Sequence, residues 1–226
     1  MLLAYCIAGE VDAARLVAAG QSQKLFFIEE EGLRVICSEL SGNVRPGAVT
    51  IEEAREFNRV LQALFQHTDV LPFRYPTVVA GEDELRAHLL AHADAYRKAM
   101  DRLRGTVQFH FKISPAATLD PEPASGTDYM RQRLSETQAL DHAAKQAREA
   151  LADKIIKWRE QTSIRPAERH GQTRQCYALV RREDATAVQQ AIAAASFDER
   201  ASVLVSGPWP PTEFFRQAET PESPQP

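Results

Sequence analysis

The sequence predicts an α+β protein that is built from two small domains in tandem. Segments of β type alternate with amphipathic helical segments along the 226 residues of the chain. A stretch rich in proline and small residues, SPAATLDPEPAS, lacks hydrophobic periodicity and separates two groups of such segments. We therefore predict a first α+β domain, a linker, a second α+β domain with a long helix, and a disordered tail, over residues 1–115, 116–126, 127–216 and 217–226.

The first domain begins with segments typical of strands. Residues 2–8 are apolar and predict a first strand, and a short helix runs from Asp12 until Gly20 closes it. Two further apolar runs, residues 24–28 and 33–40, flank a polar turn that ends in glycine. This pattern predicts a β-hairpin.

Two longer amphipathic helices follow the hairpin. Thr50, followed by an acidic first turn, predicts the start of a helix that ends near residues 67–69. Residues 70–79 (VLPFRYPTVV) contain two prolines and therefore predict an extended segment with an edge position or a bulge. The second helix is predicted over residues 82–103, and residues 107–113 (VQFHFKI) alternate like a half-buried strand. This order of elements predicts a ferredoxin-like sandwich.

The second domain is predicted to start with a helix over residues 129–161, which are dense in strong helix formers around a narrow apolar seam. The seam does not recur strictly at coiled-coil positions, so packing on the domain's own sheet is favoured over a coiled coil. Residues 176–180 and 201–205 predict strands, with a helix over residues 184–195 between them. The sequence GPWPP then ends the last strand.

Composition limits the classes of function. The formal net charge is -4, which gives no general electrostatic basis for binding nucleic acid or an anionic membrane. No run approaches the ~20 apolar residues of a membrane span. Three scattered cysteines, Cys6, Cys37 and Cys176, predict buried, inert thiols in a reducing compartment. We expect a cytoplasmic protein.

The strongest lead for chemistry is a pair of histidines. His88 and His92 are four residues apart on a predicted helix, a spacing that places two imidazoles on one metal ion. His92 falls in the apolar stripe of that helix, however, and no third ligand stands out, so packing is the favoured interpretation. Phosphate-binding, nucleophile-elbow and metalloprotease motifs are absent from the sequence. We predict no catalytic residue, cofactor or metal.

Aromatic residues beside proline form the first candidate partner-binding segment. Arg74 lies between Phe73 and Tyr75 in LPFRYPT. An arginine between aromatics can anchor a partner protein. The same segment can also simply complete the edge of the sheet, and this structural interpretation is favoured.

The second candidate lies near the C-terminus. Trp209 in GPWPP is followed by Phe214 and Phe215. Three exposed large aromatics would form a partner site. Alternatively, Trp209 packs under the second domain.

The ordered set of these segments resembles the gas vesicle protein F/L family (GvpF/GvpL). HTDVLPFRYPTVV, with the helix and strand that follow it, is similar to the family's stretch ending the first domain. SGTDYMRQRL is similar to the family's glycine-tyrosine helix start, and CYALVRREDATAVQQAI with VLVSGPWPPTEF resembles its closing strand, helix and ending. The sequence departs from the family pattern at Tyr75-Pro76 and at Thr212-Glu213.

The resemblance implies a fold of two tandem ferredoxin-like α+β domains, the second modified by a long helical segment. It also implies a non-enzymatic accessory protein for gas vesicle assembly, which binds the apolar shell protein and other accessory proteins in the cytoplasm and on the vesicle. Contacts are expected at the LPFRYP edge, by strand addition or aromatic anchoring, and at the aromatic C-terminus.

Two alternatives remain open. A small-molecule-binding or enzymatic two-domain protein would require convergent polar groups near His88, His92 or Arg74. A structural scaffold that oligomerises through the long helix would show a concentration-dependent mass in solution.

Overall fold

The structure is a computed structural model, and it divides the chain into two compact units. Of the residues described below, those within 1–105 and 210–215 form the first unit, and those within 106–209 form the second. The residues that the structure describes are 1–20, 23–40, 50–116, 125–164 and 172–215.

The first unit has the predicted ferredoxin-like topology with one added helix. Its strands form an antiparallel sheet in the order β2-β3-β1-β4. Its described elements are β1 (Leu2–Ala8), α1 (Ala13–Ala19), β2 (Leu25–Glu30), β3 (Leu33–Glu39), α2 (Ile51–Phe65), β4 (Val70–Val79) and α3 (Glu82–Leu103).

Helices cover both faces of this sheet. Helices α1 and α2 pack on each other and on one face, while α3 packs across β2, β3 and β4 on the other. All seven residues of β1 are therefore buried. The side chain of Thr50 accepts a hydrogen bond from the Glu53 N–H, and the Glu53 carboxylate accepts one from the Thr50 N–H, which fixes the start of α2 as predicted.

The second unit repeats the same connectivity. Its sheet is antiparallel in the order β6-β7-β5-β8, and α4 packs on β5, β7 and β8 and against α5. Both tandem α+β units thus have ferredoxin-like strand orders. The described elements are β5 (Thr106–Pro115), α4 (Gly126–Ala150), β6 (Ile155–Ile164), β7 (Gln172–Arg181), α5 (Ala185–Ala194) and β8 (Ala201–Trp209).

The division into units differs from the predicted domain boundary. Strand β5 is an interior strand of the second sheet, paired with β7 and β8, although the prediction placed it in a first domain of residues 1–115. Residues 210–215 belong to the first unit, although the prediction placed them in a domain of residues 127–216. Alternating hydrophobicity identifies a strand but does not say which sheet it joins. Most of the predicted linker (116–126) and all of the predicted tail (217–226) lie outside the described residues.

The long helix is shorter than predicted. Helix α4 starts after Ser125, whose side chain accepts a hydrogen bond from the Asp128 N–H, and it ends at Ala150 rather than residue 161. In the turn that follows, the N–H groups of Lys154 and Ile155 donate to the Leu151 carbonyl, and the chain then forms β6. The β-branched pair Ile155–Ile156 and the nearby tryptophan favour a strand, and pairing with β7 outweighs the helical propensity of the neighbouring charged residues.

In the part of the chain that the structure describes, no helix combines the length and the apolar character that crossing a membrane requires.

Candidate partner-binding site

Strand β4, which carries LPFRYP, is an edge strand with a large bulge. It pairs only with β1 in the described sheet. Pro72 pairs with Cys6 and Thr77 pairs with Ala4, so residues 73–76 all lie opposite Tyr5. The Thr77 hydroxyl donates a hydrogen bond to the Arg74 carbonyl at 2.6 Å, which closes the bulge. The expectation of an irregular edge segment is confirmed.

The bulge sends two neighbouring aromatic side chains to opposite faces of the sheet. Phe73 meets Tyr96 of α3 edge-on, with ring centroids 6.2 Å apart. Tyr75 packs against Phe57 of α2, with centroids 4.8 Å apart. In a regular strand, residues two apart share a face. Phe73 is only 5% exposed and Tyr75 is half-buried, whereas Arg74 between them is exposed.

Tyr96 is the centre of an aromatic and imidazole cluster in the first unit. Its hydroxyl lies 2.8 Å from Nε2 of His88, and the His88 ring stacks on His92 with centroids 4.4 Å apart. Phe73 contacts Tyr96 from the sheet, and Phe215 contacts it with centroids 6.0 Å apart. Burial raises the pKa of Tyr96 to about 12, so it is a neutral phenol at physiological pH.

The two histidines have partners within the protein. Nδ1 of His92 donates to the His88 carbonyl at 2.9 Å, and Nε2 of His88 shares its hydrogen bond with Tyr96. Burial, and secondarily the neighbouring His92, lower the pKa of His88 and so favour its neutral form. Among the described residues, no three His, Cys, Asp or Glu side chains are placed to hold a metal ion. The four-residue spacing here serves packing and hydrogen bonding.

The cysteines are buried thiols, as predicted from their apolar neighbours. All three are free and buried. Burial raises the pKa of Cys37 and of Cys176 to about 12 and also raises the pKa of Cys6. Protonated thiols of this kind are poor nucleophiles.

The C-terminal aromatics pack against α3. Phe214 is buried, and its carbonyl accepts a hydrogen bond from Nη2 of Arg102 at 3.1 Å. The N–H groups of Phe214 and Phe215 both donate to the Pro211 carbonyl, so the segment forms a compact turn. Phe215 is half-buried against Tyr96. The structure therefore places these two phenylalanines in the packing of the first unit.

Trp209 is more exposed than the two phenylalanines that follow it. It ends β8 opposite Gln108, is 38% exposed, and donates from Nε1 to the Ser206 hydroxyl at 3.1 Å. Gly207, two residues before it, has φ 135°, and a Cβ there would lie 2.8 Å from the Gln108 carbonyl oxygen. Glycine is therefore required at this bulge. At 38% exposure, Trp209 is partly covered by its surroundings and partly accessible.

The sequence reasoning missed other exposed apolar side chains in the second unit. Met130 and Leu134 are four residues apart on α4 and are 67% and 60% exposed. Burial of the α4 seam begins only at Ala139, so the first half of the helix extends beyond its buried contacts. Leu204 on β8 is also largely exposed. Helical spacing identifies an apolar stripe but does not show where along the helix its covering ends.

Comparison with known proteins connects this fold to gas vesicles. A sequence profile of the family described as "Gas vesicle synthesis protein GvpL/GvpF" matches residues 1–216. Gas vesicle protein L of Streptomyces sp. (strain CB03234) is 32% identical over an alignment of 100 residues that covers 40% of this chain. That match spans only 38% of the length of the curated relative.

Two crystal structures of the gas vesicle protein GvpF have the same fold. The protein from Microcystis aeruginosa superposes with a TM-score of 0.75 at 13% identity, covering 94% of this chain and 98% of that one. The protein from Anabaena sp. PCC7120 gives a TM-score of 0.72 at 18% identity, covering 94% of both chains. At such identities the likeness establishes the shared fold.

Proposed function

The chain belongs to the family of gas vesicle synthesis proteins GvpL/GvpF, and on that premise we propose that it is a non-enzymatic assembly factor that binds the apolar shell protein and other accessory proteins. A shell that excludes water is made from subunits that expose large apolar surfaces before they assemble. A protein with a complementary surface limits their aggregation and orders their addition. This role places the chain in the cytoplasm and on the growing vesicle.

The bulge of β4 is the observation that carries the proposal. Helices cover both faces of the first sheet, and the bulge presents Arg74 and the half-buried Tyr75 at the edge of that sheet. Phe73 and Tyr75 are held by aromatic contacts on opposite faces. The exposed arginine is therefore carried on a preformed surface, which reduces the entropy lost on binding.

Anchoring by side chains fits this edge better than strand addition. Pro72 and Pro76 have no N–H to donate to an added strand, and the four residues opposite Tyr5 interrupt the regular spacing of the edge. The guanidinium of Arg74 presents several donors to carbonyl and carboxylate groups of a partner. We therefore propose that LPFRYP binds a partner by anchoring side chains and not by strand addition.

The remaining candidate residues differ in how much of each side chain is exposed. Trp209 is accessible and is proposed as a second contact with a partner protein. Phe73 and Phe214 are buried and support the surface without touching a partner. Phe215 is half-buried on Tyr96 and has a similar supporting role.

Co-purification with the shell protein tests the proposal. The tagged chain is co-expressed with the shell protein, and the recovered shell protein is measured for the wild type, Arg74→Ala and Tyr75→Ala. Loss of an anchoring side chain costs about 2 kcal/mol, which is roughly a 30-fold loss of affinity. Arg104→Ala is the matched control, because Arg104 is an exposed arginine at the end of α3. Equal recovery with all variants would remove the β4 bulge from the proposal.

A further inference from the structure

The outer edges of the two sheets differ in how they are protected. The outer strands are β2 and β4 in the first sheet and β6 and β8 in the second. Edge strands expose unpaired N–H and C=O groups, and proteins protect them with charges, prolines and bulges. Strand β4 has two prolines and a bulge, and β2 ends in Glu29–Glu30. Strand β6 has an irregularity near Ile156 and charged residues at positions 157, 159 and 160.

Strand β8 has none of these protections along most of its length. Residues 201–206 (ASVLVS) contain no charge and no proline, and they pair with β5 in unbroken register from Ala201 to Ser206. Within the described residues, β8 pairs with no strand other than β5. Leu204 in its middle is 66% exposed. The irregular Gly207–Trp209 segment begins only after this stretch.

The sequence of this edge is self-complementary. Ser-Val-Leu-Val-Ser, residues 202–206, reads the same in both directions around Leu204. In an antiparallel pair with a two-fold axis at Leu204, that residue faces Leu204 of the partner subunit, and Val203 faces Val205 of the partner subunit. Serines face each other at both ends. Cross-strand pairs of β-branched residues stabilise sheets, and no like charges meet.

The two faces of such a pair are also compatible. Val203 and Val205 lie opposite Ile113 and Phe111 of β5, on the side of the sheet that α4 covers. Leu204 lies opposite Lys112, on the other side. Pairing therefore continues the half-buried valine layer across the two-fold axis and covers both exposed leucines with each other.

We propose that two copies of this chain associate through their β8 edges, joining two four-stranded sheets into one antiparallel sheet of eight strands. The contact involves about six residues from each chain, far fewer than the roughly 20–30 residues a side of a standard interface. The association is therefore weak and depends on concentration. It differs from the scaffold predicted from the sequence, because it uses a strand instead of the long helix, and it does not depend on the proposed binding of the shell protein.

Sedimentation velocity of the full chain tests this dimer. Over about two decades of concentration, the wild type is expected to shift from monomer mass to dimer mass. Leu204→Lys places two like charges together at the axis and is expected to leave only monomer. Leu90→Lys on α3 is the matched control, because Leu90 is 60% exposed and is far from β8 in the sequence. Circular dichroism verifies that each variant is folded.

Mixing charge variants tests the position of the axis. Leu204→Lys and Leu204→Glu are each expected to be monomeric, and an equal mixture is expected to recover the dimer because opposite charges then meet. A wild type that stays monomeric, or a dimer that survives Leu204→Lys, would overturn the proposal. Failure of the mixture to dimerise would overturn the pairing centred on Leu204.

Discussion

Phe73 and Tyr75 lie two residues apart on one edge strand, yet their rings contact helices on opposite faces of the first sheet. The bulge opposite Tyr5 makes this possible, because it changes the alternation of side chains along β4. Arg74, between the two rings, is left exposed on a segment that is fixed from both sides.

The first prediction concerns the stability of this arrangement. Phe73→Ala removes a buried ring from its contact with Tyr96 and is expected to lower the free energy of unfolding by about 3 to 5 kcal/mol. Arg74→Ala, at the exposed neighbour, is expected to change it by less than about 0.5 kcal/mol. Urea denaturation measures both variants. Similar midpoints for the two would contradict the packing described for β4.

A second prediction tests the backbone of the GPWPP bulge. Gly207→Ala forces a side chain into φ 135° and toward the Gln108 carbonyl oxygen, and is expected to cost about 1 to 3 kcal/mol. Gly126→Ala at the start of α4 is the control, because a Cβ there meets no atom within 4 Å. Differential scanning calorimetry compares the two. An unchanged transition in Gly207→Ala would show that this bulge relaxes freely.

A third prediction concerns pH and His88. Burial lowers the pKa of His88 in the folded chain, whereas the unfolded chain takes up this proton near the ordinary pKa of about 6.5. The unfolded state therefore binds more protons below that pH, and the free energy of unfolding falls as the pH drops below about 6.5. His88→Gln is expected to flatten this dependence in urea denaturation between neutral and mildly acidic pH. An equally steep loss in the variant would assign the effect to other groups.

A fourth prediction concerns Asp198 in the second unit. Hydrogen bonds from Arg200, and a further one from His142, hold the pKa of this carboxyl well below its usual range. A lowered folded pKa contributes stability above the unfolded pKa of about 3.9, and this contribution is lost as the pH falls into the strongly acidic range. Asp198→Asn is therefore expected to be less stable than the wild type at neutral pH. The difference is expected to shrink below about pH 4, and a constant difference would contradict the assignment.

Local signals in the sequence predicted most elements of the first unit. The Thr50 cap, the hairpin around Gly32 and the stripe of α3 all depend on neighbours in the sequence, and the structure confirms them. The elements that the sequence did not predict correctly depend on pairing with strands that are far away in the sequence. Strand β5 joins β7 and β8, and β6 pairs with β7. No local pattern in the sequence identifies these partner strands.

Local signals in the sequence also predicted part of the candidate site. The prolines of LPFRYP correctly marked an irregular edge, because proline lacks an N–H. GPWPP was predicted to end the last strand, but β8 continues through it to Trp209. The burial of the aromatic residues beside these prolines was harder to predict, since it depends on which helix lies over each face of the sheet. Tyr96 covers Phe73 and contacts Phe215, while Trp209 stays 38% exposed.

We propose that this chain binds the apolar shell protein by surface complementarity. The most direct test is light scattering of purified shell protein diluted from denaturant, with and without the chain. The account predicts that an equimolar amount of wild-type chain keeps the shell protein in solution, and that Arg74→Ala does so less well than Arg104→Ala. Scattering that is unchanged by the wild-type chain would contradict the account.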